Sequence, residues 1–265
     1  MWDLDFISRD DLKHHIYETI KTYGNSLESK NLYDFNKNIV DPIKLTFDSR
    51  VYKKSIGSVI TDELMRQRDK SNNNAIGYFH QNLFTYLDGC EVPKKGFDVI
   101  FTRNDGTRIF VEMKNKHNTM NSSSSQRTYM KMMSQLLKDK KCVCYLVEII
   151  AKTSQNRIWD VSIDGEKVSN DRIRRVSIDR FLEEVTGDSL AFYRICEQLP
   201  NLIDEIISEN ADLAIKDDTV IDELLAINSD ILYSLYSIAF SSYIGFSQDF
   251  NRIVTKLENV HHQSS

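Results

Sequence analysis

Four cysteines in 265 residues are too few for a disulfide framework. Cys142 and Cys144 would share one face of a strand. No other cysteine or histidine stands close enough in sequence to complete a zinc site with them. They read as packed thiols in a reducing cytoplasm. Long apolar runs are missing as well. None approaches the roughly 20 residues that span a bilayer, so no membrane is expected. The stretch Met1-Trp2-Asp3-Leu4-Asp5-Phe6 is acidic where a secretion signal would be basic and then apolar. There is no Gly-rich phosphate loop of the Walker type, no internal repeat and no long linker. An excess of positive charge is also lacking. The net charge of −5 does not advertise a nucleic-acid binder.

The charge is unevenly spread, however, and the distribution matters more than the total. Residues 94–141 hold eleven basic side chains against four acids, a local net of +7. Residues 200–260 hold eleven acids against three bases, a local net of −8. Hydrophobic residues make up 41% of the chain and charged residues 28%, ordinary for a globular protein. The length is enough to bury a substantial core.

The basic segment contains the stretch that organises the rest. Residues 96–116 read Gly-Phe-Asp-Val-Ile-Phe-Thr-Arg-Asn-Asp-Gly-Thr-Arg-Ile-Phe-Val-Glu-Met-Lys-Asn-Lys. Asp105-Gly106 between two apolar-rich runs is a hairpin signal. Phe97, Val99 and Phe101 alternate with Asp98, Ile100 and Thr102, and Ile109, Val111 and Met113 with Phe110, Glu112 and Lys114. Folding about Asp105 with an odd-numbered loop sets Asp98 opposite Glu112, Val99 opposite Val111 and Phe101 opposite Ile109. One face is then wholly apolar, and the other carries both acids with Ile100 opposite Phe110. An even-numbered loop mixes the faces, which pairing resists when one face is buried. Directly opposed like charges are unfavourable, so the pair suggests a cation between them. Oxygen ligands favour Mg²⁺ or a similar hard ion. Lys114 stands one side-chain step beyond.

Around the hairpin, residues 8–25 have a helical stripe of Leu12, Ile16 and Ile20, and 43–47 read as a short strand. A helix is expected over 50–69, broken at Ser71-Asn72-Asn73-Asn74, with a second, aromatic helix over 75–87. After the hairpin, Tyr129, Met132, Met133, Leu136 and Leu137 mark a helix over 126–139. Residues 142–150 form an apolar run typical of a buried strand. Asp164-Gly165 is a second hairpin tip. The remainder is mainly helical: 178–185, 190–198, 202–209, 220–225 and 229–256. Helix, hairpin, helix and buried strand give an α/β layer with a mixed sheet. The expected division is a core over 1–180 with an acidic helical subdomain over 181–265.

Asp98 followed by Glu112-Met113-Lys114 resembles the active-site pattern of the PD-(D/E)XK nuclease superfamily, although Phe97 stands where that pattern usually has proline. A metal held by Asp98 and Glu112 would neutralise a phosphoryl group and polarise a water. The Met113 carbonyl is a further candidate ligand, and Glu63 a candidate extra acid whose plainer reading is a solvated helix residue. One-metal and two-metal versions both remain open. His80 reads as a core histidine bonded to backbone, and His14 and His15 as surface residues.

The segment that follows is dense in small polar groups. Lys116, Asn118, Asn121, Ser123, Ser124, Gln126, Arg127 and Lys131 are candidate DNA contacts, beside the plainer reading of a polar loop with a helix cap. Val111-Glu112-Met113-Lys114-Asn115-Lys116-His117-Asn118-Thr119-Met120-Asn121 with the serine run resembles a family of type II restriction endonucleases. That family cuts palindromes of the GGNCC or GGWCC kind. The resemblance extends from Ala75-Ile76-Gly77-Tyr78-Phe79-His80-Gln81 to Arg174-Arg175-Val176-Ser177-Ile178-Asp179. It implies a restriction-endonuclease-like fold with a mixed sheet flanked by helices and a mainly helical C-terminal part. It also implies Mg²⁺-dependent cleavage of double-stranded DNA with Asp98, Glu112 and Lys114 as catalytic residues. A palindromic site implies a homodimer. The alternatives are a structure-specific repair or recombination nuclease on the same fold, and a non-catalytic DNA-binding protein.

Overall fold

The computed structural model describes residues 2–37, 39–210 and 217–240. The strands β1 (Cys90–Glu91), β2 (Val99–Thr102), β3 (Arg108–Lys116), β4 (Val143–Ile150), β5 (Asn156–Ile163) and β6 (Glu166–Ser177) form one sheet, ordered β1-β2-β3-β4-β6-β5. The helices are α1 (Arg9–Leu27), α2 (Leu32–Asn36), α3 (Pro42–Val51), α4 (Ile56–Asn82), α5 (Ser122–Lys138), α6 (Ile178–Thr186), α7 (Ala191–Glu209), α8 (Val220–Ile227) and α9 (Ile231–Ala239). The chain divides into two compact units, Met1–Thr22 with Asn74–Ala211 and Tyr23–Asn73 with Asp212–Ser265.

The first unit holds the sheet. Its central hairpin pairs β2 with β3 antiparallel, Val99 opposite Val111, Ile100 opposite Phe110 and Phe101 opposite Ile109, across the odd-numbered loop 103–107. Gly106 has φ of +78°, a conformation that glycine adopts without strain. The Thr107 amide donates to the Asp105 carboxylate at 2.8 Å, closing the turn. Register follows from burial. Val99, Val111, Phe101 and Ile109 join one core with Phe84, Tyr145, Val147, Phe181 and Leu182. A one-residue slip would turn them outward at about 1.5–3 kcal/mol apiece.

From β3 the chain crosses through α5 to β4, which pairs parallel with both β3 and β6. Parallel neighbours need such a crossover. Cys144, Tyr145, Leu146 and Val147 are buried, the pattern of a strand covered on both faces. The sheet's other face packs on α5 through Tyr129, Met132 and Leu136, with Trp159, Cys142 and Cys144 in the same cluster. All four cysteines are free thiols. β5 and β6 are antiparallel across Asp164-Gly165, both at positive φ.

The second unit has its own core. Leu32, Phe35, Leu45, Val59, Ile60 and Leu64 pack with Val220, Leu224 and Leu235. The buried Arg68 holds Asp218, the carboxylate of which also accepts from the Lys30 amide at 2.9 Å.

Several expectations are corrected. Residues 43–47 are helical, within α3. Asp41 accepts from the Ile43 and Lys44 amides and Pro42 begins the helix, a start signal that outweighs the strand-like composition. The break at 71–74 is absent, because α4 runs unbroken through it. Asparagine costs well under about 1 kcal/mol in a helix, and packed side chains on both sides, Leu64 and Phe79, hold the helix together. Likewise 190–198 and 202–209 are one helix, α7, with Pro200 inside and Ile195, Leu202 and Ile206 buried along it. Leu137 is 81% exposed and does not belong to the α5 stripe. The described part of 229–256 is α9, and residues 241–256 lie outside the described residues. The units divide elsewhere than at 180: α6 and α7 pack on the sheet through Phe181, Leu182, Ile195 and Ile206. Among the described residues no helix is long and apolar enough to cross a membrane.

Candidate active site

Asp98 stands just before β2, the pairing of which with β3 begins at Val99 opposite Val111, and the Asp98 charge acts on Glu112. The Asp98 amide donates to the carbonyl of Val111, the residue that Val99 faces, at 2.9 Å, so the regular pairing is offset by one residue at Asp98. Its carboxylate accepts from the Met113 amide at 2.7 Å. A strand residue presents its N–H and C=O to the same side. The Met113 carbonyl therefore faces the edge at which Asp98 lies, beyond the end of β2. Gln81 donates to the Asp98 carbonyl at 3.2 Å and anchors the aspartate from the helical side.

Glu112 is 8% exposed. Burial pushes its carboxyl above the usual carboxylate range and the Asp98 charge adds to the rise, while Lys131 and Lys114 oppose it. Lys114 Nζ is 3.9 Å from Glu112 Oε2. Glu112, Lys114 and Lys116 alternate along β3 opposite Leu146, Glu148 and Ile150 of β4. Lys131 of α5 forms an ion pair with the other oxygen of Glu112 and donates to the Gly96 carbonyl at 2.7 Å.

Phe97 departs from the expected alternation. It packs against Phe110, ring centres 5.2 Å apart, on the acids' side of the sheet and not with Val99. Regular strand begins only at Val99, so alternation does not extend back to Phe97. The Phe97 ring there faces the Lys131 ammonium.

The other candidates separate. Glu63 belongs to the second unit, where its buried carboxylate is bound by Arg66 and Gln67. Asn121 caps α5 by accepting from the Ser124 amide at 2.9 Å, and the Ser124 hydroxyl donates to the Asn121 carbonyl. Gln126 donates to the Ser162 carbonyl at 2.7 Å. Lys116, Asn118, Ser123 and Arg127 are exposed. His15, read as a surface residue, is 5% exposed, its Nε2 lying 2.8 Å from the Phe79 carbonyl. It takes the backbone-bonded core role assigned to His80. Burial lowers the His80 pKa to about 4, with a smaller contribution from His15.

Composition gave no sign of a second polar cluster beside Lys114. Glu148, buried on β4, is ion-paired with Arg175 of β6 and accepts from Gln155 at 3.3 Å. Arg175 also donates to the His117 carbonyl at 2.9 Å. Lys114, His117, Glu148 and Arg175 line a cavity of about 70 Å³. Among the described residues the buried His117 Nδ1 and Arg175 Nε have no hydrogen-bond partner, and a cavity of that size admits water. Cross-strand register is the only signal that could have paired Glu148 with Lys114.

Among the described residues no three histidine, cysteine or acidic side chains gather as a metal site. The donors available to a cation are two carboxylates and backbone carbonyls, an all-oxygen set of the kind hard divalent ions take. Two carboxylates near enough for the Asp98 charge to act on Glu112 fit a cation.

A mixed sheet flanked by helices, with acids and lysine raised on one hairpin, is a restriction-endonuclease-like fold. The chain belongs to the Eco47II restriction endonuclease family, the model of which matches residues 4–208. It is 32% identical over 212 residues to the type II restriction enzyme Sau96I of Staphylococcus aureus, covering 77% of this chain and 81% of that protein. It is 30% identical over 216 residues to the type II restriction enzyme Eco47II of Escherichia coli, covering 78% and 89%. The protein is a type II restriction endonuclease.

Proposed function

We propose that this endonuclease works in the cytoplasm as a homodimer, hydrolysing duplex DNA at a short palindrome of GGNCC or GGWCC type. Mg²⁺ is the cofactor, and Asp98, Glu112 and Lys114 are the catalytic residues. The observation that carries the reading is the Asp98 carboxylate, fixed by the Met113 amide at 2.7 Å, acting by its charge on Glu112, with Lys114 3.9 Å from Glu112. The sequence resemblance described above supports the recognition site.

Asp98, Glu112 and the Met113 carbonyl would hold the ion, which when bound supplies positive charge to the phosphoryl oxygens and polarises a water. The protein's own contribution is placement. The Met113 N–H bond holds the Asp98 carboxylate in one orientation, so little reorganisation is needed when DNA arrives. Lys114, partly exposed, offers an ammonium to the phosphoryl oxygens as negative charge builds on them. The exposed Lys116, Asn118, Ser123 and Arg127 are placed to meet the DNA backbone, and the basic segment draws it there. Asn121, Ser124, Gln126 and Lys131 lie along the same segment and complete the proposed contact set. A two-fold site is matched by two copies of the chain.

The test is digestion of a plasmid of known sequence with and without Mg²⁺, with the ends sequenced. Discrete, Mg²⁺-dependent fragments ending at GG…CC sites support the reading. Cutting at some other sequence overturns the recognition site, and equal cutting without a divalent ion overturns the cofactor.

A further inference from the structure

Lys131 lies where a cation's charge is wanted. Its ammonium pairs with Glu112, donates to the Gly96 carbonyl at 2.7 Å and lies 4.4 Å from the centre of the Phe97 ring. Carboxylate, carbonyl and aromatic face together make a cage for a positive charge. The cage shares its carboxylate with the proposed metal pair. Glu112, on which the Asp98 charge acts, needs a positive neighbour, and Lys131 supplies one from the protein itself. The Lys131 side chain is 37% exposed and that of Glu112 11%. The lysine therefore reaches inward from the surface of α5 to a buried carboxylate. Arg127, one turn earlier on α5, is exposed, so the route outward leads toward positive surface that DNA would approach.

We propose that Lys131 is a tethered counter-ion of the metal site: it holds Glu112 in the metal-free protein and yields it to a divalent cation when a DNA phosphate draws the ammonium outward. The proposal rests on the reading of Asp98 and Glu112 as the metal-binding pair. A cation and the ammonium compete for one carboxylate oxygen, so metal binding without DNA must displace Lys131 from three contacts. Removing Lys131 with nothing in its place would leave Glu112 buried beside Asp98 with only the more distant Lys114, which is unfavourable. Departure of the lysine and arrival of the ion are therefore linked. A phosphate that takes up the ammonium weakens the competitor, so DNA tightens metal binding, and metal must tighten DNA binding by the same factor. The site is thereby charged with metal chiefly when substrate is present.

The experiment is a Mn²⁺ titration of the metal-free, full-length protein, with free Mn²⁺ followed by electron paramagnetic resonance. Lys131→Met keeps the length and apolar packing of the stem and removes the charge. Without DNA, Lys131→Met should bind Mn²⁺ at least about tenfold more tightly than wild type, within the usual range of coupling between sites. Lys131→Arg should stay near wild type. Lys131→Gln gives the same readout as Lys131→Met in a polar side chain, should the methionine variant not fold. A second series adds a duplex lacking GG…CC sites, with its own Mn²⁺ uptake subtracted. The duplex should tighten Mn²⁺ binding in wild type and do so less in Lys131→Met. Binding by Lys131→Met or Lys131→Gln that is no tighter than wild type overturns the tethered counter-ion. Glu112→Gln placed in the Lys131→Met background separates the two readings: loss of tight binding ties the gain to Glu112. Mn²⁺ binding indifferent to both Glu112 and Asp98 overturns the metal pair itself.

Discussion

Removing Arg175 should harm this protein more than removing Glu148, the acid with which it pairs. The Glu148 side chain is 2% exposed and that of Arg175 23%. Arg175→Ala strands a buried carboxylate that, among the described residues, keeps the Gln155 amide at 3.3 Å as a partner. Breaking a buried pair in this way costs about 3–5 kcal/mol, and the surviving amide puts the value near about 3. Glu148→Ala instead leaves a guanidinium that still donates to the His117 carbonyl at 2.9 Å and has access to solvent, at about 1–2 kcal/mol. The double variant should cost less than the two singles added, because the second change removes a group already stranded. Urea unfolding of wild type, both single variants and the double variant measures all four free energies, read on the transition of the unit containing the sheet. If Glu148→Ala proves the more damaging, or the two effects simply add, the argument from unequal burial fails. Lys114 is paired with Glu148 across β3 and β4. Arg175→Ala should therefore also slow cutting under conditions in which it remains folded.

Asp98→Ala and Lys114→Ala should each lower the cutting rate about 100-fold or more while leaving a folded protein, checked by plasmid cleavage beside circular dichroism; wild-type cutting in both would remove them from the site. Binding to duplex DNA should weaken steeply with salt, by about 10³-fold or more between about 50 and 200 mM if six or more phosphates are engaged, measured by fluorescence anisotropy. His80 has its pKa lowered to about 4 by burial. Its contribution to stability is present above the unfolded value of about 6.5 and is lost as pH falls through about 4, a drop of up to about 3 kcal/mol. His80→Phe should flatten that part of the stability–pH curve. One residue inserted between Asn104 and Asp105 should leave cutting largely intact, since burial of Val99, Val111, Phe101 and Ile109 sets the register and the exposed loop absorbs the insertion.

The parts of the fold that sequence reasoning reached were those in which local pattern and tertiary burial agree. The 96–116 hairpin was legible because strand alternation, an Asp-Gly turn and one apolar face admit a single register, and that register is observed from Val99 to Thr102 but not at Phe97. The buried β4 run and the hairpin at Asp164-Gly165 were legible for the same reason. Where local and tertiary signals conflict, packing prevails. Asparagines at 72–74 and a proline at 200 weaken a helix locally, yet α4 and α7 continue because apolar side chains on both sides of each weak point are buried. The misreading of 43–47 was different in kind, since Asp41-Pro42 was a readable helix start that the β-branched and aromatic composition obscured.

The candidate site divides along the same line. Glu112, Lys114 and the Met113 backbone lie on β3, so their alternation follows from register, and Asp98, just before β2, is brought to them by its bond to the Met113 amide. Lys131, Gln81, Glu148 and Arg175 reach the neighbourhood from α5, α4, β4 and β6, and no spacing within the hairpin points to them. Lys131 could be placed on the right helix face, as a charge for DNA, but its bond to Glu112 depends on how far α5 lies from β3. That distance is set by the bulk of Tyr129, Met132 and Leu136 beneath the helix. A larger or smaller residue there would move the ammonium relative to Glu112 without touching either charged group. The packing under α5 therefore governs the electrostatics around Glu112 as directly as the acids do, and substitutions in that layer should alter affinity for the proposed cation, read by Mn²⁺ titration, before they alter the fold.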